Sequence, residues 1–257
     1  MKKLYFLIII IILIIIYLLL NKYLIKYENF VEKKYTFGVL ICCFNRPEYL
    51  EKTLNSLKET KLENVIIYII DDHSDNIKTI NLIKKFNIPN VKIIKERNST
   101  NLGIKKSLEK GFNYLYKKCI FLTNLDSDVI LKYNWLEKLH NVYLKGKITY
   151  PNSNNLLISG FNCTSTCLHK IFKTYNSFYE KKTIGGINTF FHNSLLQEYK
   201  NILLKTKSKN FNWDWDLCKY CNNHNIPILV TNPSVVQHIG FKGLNSKNTR
   251  VDIAEDF

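Results

Sequence analysis

Asp126-Ser127-Asp128 follows the apolar run Cys119-Ile120-Phe121-Leu122. Two carboxylates one residue apart suit a hard divalent cation such as Mg²⁺ or Mn²⁺, which favours carboxylate and phosphate oxygens. A cation held there can neutralise a diphosphate leaving group. Alone the triplet is a weak signal, because Asp-x-Asp also arises by chance and serves in acidic loops and helix caps. Three further groups accompany it: Asp71-Asp72, Asp214 and Asp216 beside Trp213 and Trp215, and His238 in Gln237-His238-Ile239-Gly240. Each has a bland alternative. Asp-Asp-His-Ser is good turn chemistry, an Asp before a helix is a common cap, and a lone His is more often structural. Residues two apart on a helix point in different directions, so Asp214 and Asp216 are not expected to share one task.

The elements that must position these groups read as alternating strands and helices. Phe37–Cys43 is a continuous apolar run of strand length, as in a sheet covered on both faces. Pro47 opens a helix to about Thr60, with Glu48 in its first turn and Lys58 in its last, matching the helix dipole. A buried-type strand at Val65–Ile70 ends in Asp71-Asp72. A helix at Ile77–Phe86, a strand at Val91–Ile94, a helix at Leu102–Lys117 and a strand at Cys119–Leu122 follow. Asn134 with Glu137 resembles a capping box that opens a helix to about Leu144. The order predicts a mostly parallel α/β sheet. Such sheets place ligands at the carboxyl ends of their strands, where both acidic pairs fall. Further on, Leu156–Ser159, Ile226–Val230 and Val235–His238 read as strands, Trp213–Asn223 as a helix and Gly185-Gly186 as a tight turn. Tyr150–Lys209 shows no other readable pattern.

The chain has 257 residues, 46% of them apolar, enough for one sizeable domain with its own core. Leu4–Leu20 is an uncharged, Ile- and Leu-rich segment of 17 residues at the short limit for a membrane helix. Lys2, Lys3, Lys22 and Lys26 flank it, and no small residues mark a cleavage site after it, which favours an uncleaved anchor. The net charge of +16 is scattered among acidic residues, reads first as a solvated surface and also suits anionic donors or lipid headgroups. No nucleic-acid-binding module is present. Seven irregularly spaced cysteines describe no disulfide framework, and the lone Cys218-Lys219-Tyr220-Cys221 pair is a poor zinc site. Cys163 with Cys167 is a weak candidate pair if the domain is lumenal. Asn98-Ser99-Thr100 and Asn162-Cys163-Thr164 match the glycosylation pattern, which matters only in a secretory lumen.

Taken in order, Phe44-Asn45-Arg46-Pro47, Asp71-Asp72-His73-Ser74-Asp75, Asn101-Leu102-Gly103, Asp126-Ser127-Asp128, Gly185-Gly186, Trp213-Asp214-Trp215-Asp216 and Gln237-His238-Ile239-Gly240 resemble the GT-A glycosyltransferases, close to the family 2-like inverting enzymes. The resemblance covers about Thr36 to Gly243. It implies a Rossmann-like GT-A catalytic domain over 36–257, behind an anchor and flank at 1–27 and a short stem at 28–35. It implies a nucleotide-diphosphate sugar donor, most often UDP-linked, and Mn²⁺ or Mg²⁺ held by Asp126, Asp128 and His238. The donor nucleotide would meet the backbone of Cys42, Cys43 and Phe44, together with Asp71, Asp72, Asn101 and Asp126. Asp214 would be the general base, with Asp216 as the fallback or as a helix N-terminal charge. The family's Glu-Asp pair reads Trp213-Asp214 here. The acceptor would be a glycan, glycoprotein or lipid. The setting would be a type II, single-pass protein of the secretory pathway or a virus-associated membrane. Two other readings share the fold. A sugar-nucleotide nucleotidyltransferase would carry a glycine-rich loop after the first strand, which Phe44-Asn45-Arg46-Pro47 lacks. A catalytically silent sugar-binding membrane protein would show no donor turnover.

Overall fold

The computed structural model describes residues 14–18, 35–163, 169–199, 213–241 and 252–257. The chain divides into two units, Met1–Lys34 and Tyr35–Phe257. In the first, residues 14–18 are helical. The rest of the Leu4–Leu20 segment lies outside the described residues, among which no helix is long and apolar enough to cross a membrane.

The second unit begins with four parallel strands: β1 (Tyr35–Cys43), β2 (Val65–Asp71), β3 (Lys92–Arg97) and β4 (Cys119–Asp126), in the order β3-β2-β1-β4. Crossovers through α1 (Pro47–Lys58), α2 (Ile77–Lys85) and α3 (Ile104–Tyr116) join them, as parallel pairing requires. Side chains alternate between the two faces of each strand. Val39, Ile41, Ile67 and Ile69 therefore pack in one core with Leu50, Leu54 and Leu57 of α1, Ile83 of α2, and Trp135 and Leu139 of α4 (Trp135–Thr149). Leu40, Ile66 and Ile70 face the other way, into a core with Leu108, Phe112 and Leu115 of α3 and Leu217, Cys218 and Cys221 of α5 (Trp213–Asn223). Burial on both faces explains why these strands are unbroken apolar runs.

Beyond β4 the sheet is mixed. Strand β9 (Asn188–His192) runs antiparallel to β4, followed in the sheet by β6 (Leu157–Ser159), β10 (Ile228–Thr231), β8 (Phe178–Lys181) and β7 (Ile171–Thr174). A separate antiparallel pair joins β5 (Val129–Leu131) to β11 (Val236–His238).

Most boundaries lie within a few residues of the sequence reading. Strand β4 runs on to Asp126, so the first acid of the triplet is itself a strand residue. The capping box at Asn134 is not formed, because that side chain makes no cap hydrogen bond. Strands β5, β7, β8 and β9 were not anticipated; β9 replaces the usual apolar signal with buried Asn188 and Thr189, whose polar groups bond to Thr123 and Asn124 of β4. The two glycosylation patterns are structural instead. Asn98 is 2% exposed with its amide committed to Asp72 and Ser107, and Asn162 is 5% exposed and faces Asp256. Cys167 lies outside the described residues.

Candidate active site

The parallel register brings three strand ends into one row. Cys43 pairs with Asp71 across β1 and β2, and Cys42 pairs with Asp126 across β1 and β4. Asp71, Asp126 and the end of β1, which leads into Phe44, therefore share the carboxyl edge of the sheet. From there the two acid pairs are treated differently.

Asp71 and Asp72 are buried and bound to the protein itself. Asp71 Oδ1 accepts from the Ser74 amide at 2.9 Å, and its Oδ2 accepts from Arg97 Nε at 3.1 Å. Asp72 Oδ1 accepts from Asn98 Nδ2, the Leu102 amide and Ser107 Oγ, at 2.7, 2.9 and 3.1 Å. Its Oδ2 accepts from the Gly103 amide at 2.8 Å. Asp72 thus fixes, from another loop, the turn that leads into α3 by accepting hydrogen bonds from the two amides just before its first residue. Gly103, with φ of 80°, makes the turn into that helix. Asn101 beside it is exposed. His73 is an exposed loop residue whose ring Nδ1 lies 3.1 Å from the Asn98 carbonyl.

Asp126 and Asp128 stand among charges. After Asp126 the chain turns into β5, which lies along α1: the Val129 amide donates to Thr53 Oγ1 and the Leu131 amide to Ser56 Oγ, both at 2.8 Å. Pairing of β5 with β11 sets Val129 opposite His238, and the Ile239 amide donates to the Asp128 carbonyl at 2.9 Å. That pairing brings together two residues 110 positions apart, with His238 Nε2 at 3.3 Å from Asp128 Oδ2. Arg46 Nη2, from the start of α1, lies 2.8 Å from the same oxygen. Gly240 fits because a Cβ there would clash with the Asp128 carboxylate and approach His238 Nε2 to 2.7 Å.

Burial and the Asp128 charge push Asp126 up to about 7, with Asp214 adding to the rise and His238 and Arg46 opposing it. Burial would raise Asp128 too, but its bonds to His238 and the Arg46 charge hold it below the ordinary carboxylate range. Burial would lower His238, yet its bond to Asp128 and the neighbouring acids raise it. The proton therefore favours Asp126 and His238 over Asp128. His238 Nδ1 is buried without a hydrogen-bond partner among the described residues.

Asp214 completes the cluster from another direction. It lies in the first turn of α5, and its two oxygens accept the Trp215 amide at 2.9 Å and the Gly186 amide at 3.0 Å. A Cβ at Gly186 would approach the Trp213 ring to 2.6 Å, so only glycine brings that amide so close. The Gly186 carbonyl is in turn held by Asn124 Nδ2 at 2.7 Å. Burial raises the Asp214 pKa, assisted by Asp216 and opposed by the two amides. Asp216 is half-buried on the same helix turn, and its charge acts on Asp214. Of the sequence-selected residues, the structure gathers Asp126, Asp128, His238 and Asp214, and it joins Asp71 and Asp72 to the neighbouring loop scaffold. Arg46 was missed as a site residue. Its sequence signals were its place, just after the first strand and before Pro47, and its presence in Phe44-Asn45-Arg46-Pro47.

The donor set, two carboxylates and an imidazole, has the chemistry of a Mn²⁺ or Mg²⁺ site, and a cation would offset both the burial and the Asp128 charge that raise Asp126. Among the described residues no three His, Cys, Asp or Glu side chains are gathered closely enough to hold a metal as they stand. The Arg46 guanidinium faces the Asp128 oxygen that would take part.

The profile described as glycosyl transferase family 2 matches residues 38–200. An uncharacterized glycosyltransferase of Haemophilus influenzae is 29% identical over 120 residues, which cover 46% of this chain and 33% of the relative. Among solved structures, S. aureus TarS 1–349 in complex with UDP-GlcNAc superposes with a TM-score of 0.61 at 17% identity, covering 84% of this chain and 62% of TarS 1–349. The UDP complex gives 0.58 at 17% identity, covering 78% and 59%. The likeness to TarS is one of fold. The chain spans about a third of the length of the curated relative it matches.

Proposed function

The chain belongs to glycosyl transferase family 2 and is a glycosyltransferase, and from that premise we propose that it moves a sugar from a UDP-linked donor to an acceptor hydroxyl with inversion. The observation that carries the reading is the convergence of Asp214 with the Asp126–Asp128–His238 cluster at the carboxyl edge of the parallel strands. The UDP and UDP-GlcNAc complexes of TarS, which shares the fold, support the donor class.

In this reading the backbone of Cys42, Cys43 and Phe44 lines the nucleotide pocket. Asp72 serves it indirectly, by fixing the Asn101–Gly103 backbone, and Asp71 does so through Arg97 and Ser74. Asp126, Asp128 and His238 would hold Mn²⁺ or Mg²⁺, which supplies charge to neutralise the departing nucleoside diphosphate. Asp214 takes the acceptor proton as the hydroxyl attacks the anomeric carbon in line. Its raised pKa makes it a better base than an ordinary carboxylate, and the Gly186 and Trp215 amides fix its orientation. Asp216 remains the second acid at this helix start. The apolar segment Leu4–Leu20 supports a single-pass anchor, a short stem at 28–35 and a catalytic domain at 36–257 on the lumenal or virus-associated face. A glycan, glycoprotein or lipid acceptor fits that setting.

A panel of UDP-sugars, each with Mn²⁺ and a mixed hydroxyl acceptor, tests the reading. Metal-dependent UDP release coupled to sugar transfer, with the product anomer inverted by NMR, is the expected result. Retention of configuration would overturn the Asp214 role. Absence of turnover with every nucleotide sugar would favour the silent sugar-binding reading.

A further inference from the structure

Arg46 occupies an unusual backbone position. Asn45 and Arg46 have φ of 54° and 59°, two consecutive non-glycine residues in the left-handed region, directly before Pro47 at the start of α1. That conformation is sparsely populated and persists only where the surroundings enforce it. Here they do. The Asn45 amide donates to Ser74 Oγ at 2.8 Å, and Asn45 Oδ1 accepts from the Asn76 amide at 3.1 Å. The consequence is the direction of the Arg46 side chain. Its guanidinium lies 4.6 Å from the Tyr49 ring centroid, with Nη2 at 2.8 Å from Asp128 Oδ2.

The contact with Asp128 uses one nitrogen of the guanidinium fork and leaves hydrogen-bonding capacity over. Arg46 Nη2 is engaged by Asp128, whereas Nε is buried without a hydrogen-bond partner among the described residues. A guanidinium offers a planar fork of donors that matches phosphate oxygens, so the unused Nε is poised for a further anion, and Nη2 can exchange Asp128 for the same anion. Asp128, for its part, is shared between Arg46 and His238 at a single oxygen. One cation already stands where a divalent ion would have to approach.

We propose that Arg46 couples donor and metal binding: it holds Asp128 while the site is empty, and it transfers to the diphosphate of the donor, which releases Asp128 to the divalent cation. The inference rests on the reading of Asp126, Asp128 and His238 as metal-holding residues. Without donor, the cation must displace Arg46. With donor, it meets a freed carboxylate. Binding free energies are reciprocal, so the cation strengthens donor binding by the same factor.

The test is Mn²⁺ binding to the full chain in detergent, followed by the electron paramagnetic resonance of free Mn²⁺, with and without UDP. The proteins are wild type, Arg46→Asn and Arg46→Lys. Asparagine tolerates the left-handed conformation, so this variant removes the charge with little backbone penalty. Lysine keeps the charge without the fork and guards against a folding defect, which thermal melting would reveal. Arg46→Asn is expected to bind Mn²⁺ alone at least about fivefold more tightly than wild type, the lower end of ordinary coupling between sites. The gain from adding UDP shrinks by a similar factor, and Arg46→Lys falls between. A purely structural arginine would not improve metal binding when removed. Unchanged or weaker Mn²⁺ affinity in the folded variants, with wild type still binding Mn²⁺ in the presence of UDP, overturns the coupling alone. Absence of Mn²⁺ binding to wild type under both conditions overturns the metal site and the coupling with it.

Discussion

Asp71-Asp72 and Asp126-Ser127-Asp128 occupy matching places, each at the carboxyl end of a parallel strand that flanks β1. Their surroundings differ. Asp72 has four protein donors on its two oxygens, two of them backbone amides at the start of α3. Asp126 has the charges of Asp128, Asp214, His238 and Arg46 about it, and its carboxyl is pushed up to about 7. One pair is satisfied by the fold; in the other, Arg46 and His238 hold Asp128, while Asp126 is left electrostatically unresolved, with its balance to come from outside. A carboxylate that the chain has already saturated organises a loop. A carboxylate that the chain has crowded with charge awaits a ligand or a proton.

The comparison can be broken most severely at Asp214, the third acid of the charged cluster. Asp214→Asn keeps an acceptor for the Gly186 amide but loses the base. Its kcat is expected to fall roughly 10²–10⁴-fold, with UDP affinity by calorimetry retained. In wild type, kcat should drop as pH falls through the raised pKa of Asp214, at a higher pH than an ordinary carboxylate would give. A full-rate Asp214→Asn variant would remove this residue from the chemistry.

The satisfied pair should respond through stability. Asp72 is 5% exposed, and Asp72→Ala strands its amide, hydroxyl and side-chain donors. The expected loss is roughly 2–4 kcal/mol in denaturant unfolding. A loss under about 0.5 kcal/mol would show that the bonds to Asp72 contribute little.

The smallest effect sharpens the contrast by its sign. With its pKa raised in the folded state, Asp126 favours folding at low pH, and that contribution is lost between about pH 4 and 7. Asp126→Asn in metal-free protein should therefore match wild type near pH 4. It should become more stable by on the order of 1–2 kcal/mol above pH 7, after discounting for solvent screening. Thermal melting across that range checks the sign, and saturating Mn²⁺ should remove the variant's advantage.

The parallel half of the fold was legible because strands covered on both faces leave continuous apolar runs, as in Val39–Cys43 and Val65–Ile70. The mixed half left fainter marks. Strand β7 is exposed throughout, β5 is three residues long, and β9 buries asparagine and threonine where a strand pattern expects aliphatics. The acids themselves could be picked out by type and position, but their division of labour could not. The donors to Asp72 come from Asn98, Leu102, Gly103 and Ser107, which only the packing of β2 against β3 and α3 brings near. The left-handed turn at Asn45 and Arg46, which aims the guanidinium at Asp128, has no glycine to announce it.

The most direct test of the central claim, that the charged cluster rather than the satisfied pair receives the donor and its cation, is thermal stability of the full chain with a panel of nucleoside diphosphates, each with and without Mn²⁺. A ligand at a hundredfold its Kd adds about 2.7 kcal/mol, a readily measured shift. The account predicts stabilisation by UDP that depends on Mn²⁺ and is lost in Asp128→Asn. Stabilisation by UDP that is indifferent to Mn²⁺ and unaffected by Asp128→Asn would contradict it.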